Sequence, residues 1–108
     1  MASYEPDLYY RIGLSYCLIE KFHKAIFPFT KAIELTPSEV KYYHERAKAN
    51  QMCEDHISAI ADFDTVIKKN SKNAHAYFRR AFSHKSLKNF TQSIEDFEKA
   101  KELAPDNP

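Results

Sequence analysis

Five histidines and two cysteines are the residues of this 108-residue chain best suited to chemistry. An imidazole serves as a general base or metal ligand near neutral pH, and a thiolate is a nucleophile. A zinc site needs three or four such ligands at close range. Cys17 and Cys53 are the only cysteines and neither has a second thiol near it in sequence. Two separate free thiols fit a reducing compartment. His44 and His75 are expected at facing places on neighbouring helices, yet two imidazoles alone make an incomplete metal site. Nothing in the spacing pairs Cys17 with a histidine as a catalytic dyad. No nucleophile elbow, glycine-rich phosphate loop or His-Glu-x-x-His pattern is present. The expectation is a chain that is not an enzyme and that uses no metal or cofactor.

Binding is the remaining class of function, and charge narrows it. Sixteen Lys and Arg stand against fifteen Asp and Glu, with no block of like charge. That balance argues against a general nucleic-acid or membrane-surface binder. One glycine and no long polar tract argue against a flexible or disordered chain. The N-terminus has no basic and apolar signal segment, and no window approaches a membrane span. The expected location is the cytosol or the nucleus.

The elements that must position any binding side chain repeat at a fixed interval. Phe29, Phe63 and Phe97 are 34 residues apart, as are Ile26, Ile60 and Ile94, and Tyr9, Tyr43 and Tyr77. Gly13, Ala47 and Ala81 form a small column at that interval, and Ala25, Ala59 and Ser93 form another. Self-similarity at this period marks a repeat architecture. It divides the chain into units 6–39, 40–73 and 74–107 of one repeat domain. Spacings of three and four, as in Phe22, Ile26, Phe29 and Ile33, are helical. Polar breaks then predict six helices over 7–19, 22–35, 41–53, 56–69, 75–87 and 90–103. Each antiparallel pair is too small to bury its apolar face alone and must stack on its neighbours.

The small columns mark places where two helix backbones approach, so a bulky replacement there overpacks the contact. Pro28 conflicts with the pattern because an interior proline costs a helix about 3 kcal/mol. It predicts either a tolerated kink or a kink that re-aims Phe27 or Phe29 toward a contact surface. Phe90, Ile94 and Phe97 are expected to face mainly inward, with part of the last hairpin uncovered. The terminal Pro105-Asp106-Asn107-Pro108 reads as a junction. The expectation is therefore a segment of a longer repeat protein, or one that self-associates through the terminal repeat.

These columns resemble the tetratricopeptide repeat over about 102 of the 108 residues. The first unit supplies Tyr9, Ile12, Gly13, Tyr16, Ala25, Phe29, Ala32 and Pro37 at the family's positions, and the third supplies Tyr77, Ala81, Phe97, Ala100 and Pro105. The second is looser, since Asn50, Val66 and Ser71 depart from the pattern. The resemblance implies an all-α, right-handed superhelix of three hairpins whose first helices line a concave groove. It also implies a protein-interaction module that holds a partner's peptide or helix there.

Projected onto this chain, the groove takes Asp7, Tyr10, Leu14 and Cys17 from the first unit. Lys41, His44, Lys48 and Gln51 come from the second, and His75, Phe78, Arg79, Phe82 and Lys85 from the third. Basic and aromatic side chains predict a partner with acidic and apolar or aromatic residues. Some family members clamp the C-terminal carboxylates of chaperones, using a Lys and an Asn at the places of Tyr10 and Leu14. Glu45 replaces another Asn of that clamp, His75 a Lys, and only Arg79 is unchanged. The chaperone peptide is therefore not the expected ligand. Competing expectations are an architectural array and, with less support from the balanced charge, an RNA-binding helical repeat.

Overall fold

A computed structural model describes residues 3–104, so the expectations for Pro105 and the terminal junction lie outside the described residues. Six helices follow one another: α1 Glu5–Leu18, α2 Phe22–Leu35, α3 Val40–Met52, α4 His56–Lys69, α5 Ala74–Ser86 and α6 Phe90–Leu103. Among the described residues there are no strands, and none of these helices is long and apolar enough to cross a membrane. Helix α1 starts two residues earlier than the periodicity predicts. Pro6 sits in its first turn, where the missing amide costs nothing, and Glu5 and Asp7 favour the positive end of the helix. Asp55 and Asn73 cap α4 and α5 by accepting from the amides of Ser58 and Ala76.

Each hairpin turns in the same way without glycine. Glu20, Glu54 and Lys88 adopt φ of 60°, 62° and 65°, the left-handed region. In the first turn the Glu20 amide donates to the Cys17 carbonyl and the Lys21 amide to that of Tyr16, both at 2.9 Å. The same pair of bonds recurs at Glu54 and Asp55 and at Lys88 and Asn89. This arrangement satisfies the last carbonyls of the helix, at about 1–2 kcal/mol for a residue with a Cβ.

Helix α1 packs on α2, α2 on α3, and so on along the chain, giving an all-α helical-repeat solenoid. Phe29 and Phe63 are fully buried between hairpins, as are Ala25, Ala59, Ala47 and Ala81. A Cβ at Gly13 would stand 2.6 Å from Phe29 Cδ1, so only glycine fits that crossing. Ser93 takes its column's place in α6 by donating to the Ala81 carbonyl at 3.0 Å. Phe90 and Ile94 depart from the inward-facing expectation, since both are 57% exposed. In the first two units the next hairpin covers the equivalent residues, and no hairpin follows α6 within the described residues.

Pro28 also has an explanation in the repeat. Residues 34 and 68 places on are Asp62 and Asp96, buried carboxylates that receive two bonds each from Arg46 and Arg80 at 2.7–2.8 Å. The first unit holds Ile12 where those arginines stand. It thus replaces a bidentate ion pair with an apolar one, and a buried aspartate at 28 would have no counter-charge. Helix α2 runs on through Pro28, and Phe29 keeps the fully buried place of Phe63. Phe27 lies exposed on α2. The proline therefore fills a buried core position and leaves Phe29 in the place that Phe63 holds one unit on.

Candidate partner-binding groove

The residues expected at the groove lie on α1, α3 and α5, and their environments differ by unit. Tyr10 is half-buried, its ring centroid 5.1 Å from that of Tyr42 and 6.1 Å from that of Phe29. Leu14 and Cys17 are partly buried against Ala25, Phe29 and Ala49. Burial pushes the Cys17 thiol above its ordinary pKa, and the nearby Glu45 carboxylate adds to that. A thiol so shifted stays protonated and is a poor nucleophile. Asp7 is held by Arg11 at 2.7 Å.

In the second unit Lys41 places its ammonium 5.0 Å from the Tyr10 ring centre. Lys48 lies 3.4 Å from the Glu45 carboxylate, so an acidic side chain sits among the basic ones. Gln51 turns its amide away, donating to the Arg79 carbonyl at 2.6 Å and to Ser83 Oγ at 2.8 Å. His44 stacks on His75 with centroids 5.7 Å apart and meets Phe63 edge-on at 5.6 Å. Burial, helped by Lys48, His75 and Arg79, lowers the His44 pKa to about 4. Burial and the charge of Arg79 lower that of His75 as well. Both rings are therefore neutral at pH 7. Among the described residues no three His, Cys, Asp or Glu side chains come together as a metal site.

The third unit carries the aromatic surface. Phe78 meets Phe82 edge-on at 5.1 Å, and both meet Phe97 at 5.8 and 5.4 Å. Phe78 and Phe82 remain 44% and 46% exposed. Phe97 is half-buried and supports them from α6, unlike the fully buried Phe29 and Phe63. His75 continues the row, 6.4 Å from Phe78. Arg79 Nε is buried without a hydrogen-bond partner, and Lys85 is exposed. A hollow of about 500 Å³ opens between α3 and the start of α5, lined by Lys41, His44, Glu45 and His75 among others.

Sequence reasoning missed two sets of residues that hold this face in place. The Arg46–Asp62 and Arg80–Asp96 pairs recur at the 34-residue interval and were open to detection by it. Ser83, fully buried, is met by both Gln51 and His56 Nδ1, the latter at 2.9 Å. No periodic signal announces that group, because it occurs once.

Comparison with known proteins agrees with the repeat. Family models of the tetratricopeptide repeat match residues 6–39 and 74–107. The chain belongs to the tetratricopeptide repeat family. Among relatives of this family, serine/threonine-protein phosphatase T of Trypanosoma brucei brucei is 33% identical over 103 residues, covering 95% of this chain and 22% of that protein. The chain spans about a fifth of the length of such curated relatives. The tetratricopeptide repeat domain of Arabidopsis OM64 superposes with a TM-score of 0.90 at 27% identity, covering 95% of this chain and 85% of that one. The first such domain of Spaghetti (RPAP3), solved bound to the HSP90 peptide SRMEEVD, gives 0.91 at 24% identity, covering 99% and 85%. Tetratricopeptide repeats are typically non-catalytic protein-interaction modules, and this chain has that fold.

Proposed function

We propose that the face made by α1, α3 and α5 binds an extended peptide or a helix of a partner protein. The observation that carries this reading is the exposed Phe78–Phe82 pair. The next hairpin covers the rings equivalent to Phe78 in the earlier units: Lys41 lies over Tyr10 and His75 over His44. Phe78 has no such cover within the described residues. Aromatic and arginine side chains dominate binding energy at interfaces. The partner segment carries an apolar or aromatic residue for Phe78 and Phe82, and a carboxylate or carbonyl for Arg79. Lys41, Lys48 and Lys85 add positive charge to that face.

A peptide ending in two clamped carboxylates fits less well. Tyr10 and Leu14 are packed side chains that donate no charge-assisted bond there, and Glu45 would repel a carboxylate. A relative of the same fold does hold SRMEEVD, so that peptide is the natural comparison ligand.

The test is a quantitative pull-down of wild type beside a Phe78→Ala, Arg79→Glu, Phe82→Ala triple variant, followed by calorimetry with the captured segment and with SRMEEVD. Loss of about tenfold or more in affinity is expected for the triple variant. Binding that survives all three changes removes the assignment, and tight binding of SRMEEVD by wild type overturns the ligand class.

A further inference from the structure

Helix α1 carries a second surface, on the side that α3 and α5 turn toward the preceding hairpin. Leu8 corresponds to Tyr42 and Ala76, which are 5% and 0% exposed, and Ser15 corresponds to Ala49 and Ser83, at 1% and 0%. On α1 and at its C-cap these places are open among the described residues: Leu8 is 56%, Ile12 47% and Ile19 60% exposed. They line a hollow of about 410 Å³ together with Arg11, Ser15 and Tyr16. Spacings of four, three and four put Leu8, Ile12, Ser15 and Ile19 on one helical stripe.

The internal joints state what kind of body covers such a stripe, because α2 lies on α3 and α4 on α5. It is another helix. Charge then narrows the choice. Arg46 donates to Thr30 at 3.1 Å across the first joint, and Arg80 to Asp64 at 2.8 Å across the second. Ile12 stands in their place on α1, and it wants no acceptor. The face of α6 left uncovered among the described residues offers Phe90 and Ile94, but also Glu98 and Lys101 where α2 has Thr30 and Ile33. Stacked head to tail, it would set both charges against Ile12 and Leu8, and burying unpaired charge is costly. The stripe on α1 is itself uncharged, with the small Ser15 between larger side chains.

We propose that this stripe docks on its own counterpart in a second copy of the chain, with the two α1 helices antiparallel across a two-fold axis. Leu8, Ile12 and Ile19 of each copy pack beside Ser15 of the other. The Asp7–Arg11 pair stays at the rim. A two-fold contact is self-complementary and closes at the dimer, whereas a head-to-tail contact propagates. One helix against one helix is a small interface, so the pairing is weak and depends on concentration.

Sedimentation equilibrium over a wide concentration range, with wild type, Ile12→Arg, Leu8→Glu and Ile94→Arg, decides the matter. Circular dichroism checks that each variant folds, and Leu8→Glu replaces Ile12→Arg if that one does not. The expected result is a monomer–dimer equilibrium in which Ile12→Arg and Leu8→Glu raise the dissociation constant about tenfold or more, while Ile94→Arg leaves it unchanged. A head-to-tail stack gives the opposite pattern: an arginine at position 12 meets Glu98 and tightens association, and Ile94→Arg breaks it. That pattern, or a monomer at every concentration, overturns the proposal.

Discussion

The two joints of this solenoid are the same joint built from different chemistry. Where α1 and α2 meet α3, the contacts are Lys41 over the Tyr10 ring, Cys17 near Ala49, and a bond from the Arg46 guanidinium to the uncharged Thr30 hydroxyl. Thirty-four residues on, the same places hold His75 on His44, Gln51 and His56 bonded to Ser83, and an ion pair from Arg80 to Asp64. The backbone path of the repeat is kept by the small columns and the buried phenylalanines. The joint between them tolerates an apolar or a polar filling, provided each filling is complete. A polar set gains directionality but becomes costly if one member is lost, since the others are left buried and unpaired.

The largest way to break this symmetry is Arg80→Ala. It strands Asp96, which is nearly buried, and releases Asp64 across the joint. A loss of about 3 kcal/mol is expected by denaturant titration. Arg46→Ala should come close but fall short, because its partner across the joint, Thr30, is uncharged. Equal losses would mean that the bond to Asp64 contributes nothing.

Acid should weaken the second joint, where the two histidines stack. The folded-state pKa of His44 is held at about 4, below its ordinary 6.5, and that of His75 is also lowered. Between these values the unfolded chain binds more protons, so stability is intact above pH 6.5 and falls as pH drops toward 4. At about 1.4 kcal/mol per unit the ceiling for His44 is about 3 kcal/mol, and its partial exposure brings the expected loss to roughly 2 kcal/mol. His44→Phe should flatten the fall in thermal midpoint between pH 6.5 and 4, and an unchanged slope would remove the histidine pair as its source.

The smallest expected effect is that of Gln51→Ala, about 1 kcal/mol, because Ser83 keeps His56 as a partner. In a background with Ser83→Ala and His56→Phe, which copies the apolar joint, the same change should become nearly neutral. A double-mutant cycle measured by chemical denaturation reads that coupling.

Much of the fold was legible because it rests on period and on the breaks between periods. Columns at 34 residues set the register of the units, and polar breaks between helical spacings placed all six helices to within two residues at each end. Phe90 and Ile94 show the limit of that signal. A column specifies which way a side chain points along the array, while burial depends on whether another hairpin lies there. The Arg–Asp pairs were visible as columns, yet residues 16 apart meet only once the hairpin has closed. On α5, Phe78 and Phe82 lie exposed in contact with each other, while Gln51 of α3 turns its amide into the joint. That choice is one of side-chain torsion, settled by the buried Ser83 hydroxyl and the Arg79 carbonyl, and no spacing rule records it.

Pro28 finally bears on timing. Prolines 6, 28 and 37 all fall in or beside the first hairpin, and residues 40–104 contain none. Among the described residues every peptide bond is trans, but about 10–30% of bonds before proline are cis in an unfolded chain. Those bonds revert over tens of seconds, and α2 cannot wind through Pro28 until its own has done so. In such molecules the second and third units assemble first, and α1 and α2 join them late. A slow refolding phase that a prolyl isomerase shortens, and that Pro28→Ala diminishes, would mark the first unit as the part of the array that arrives last.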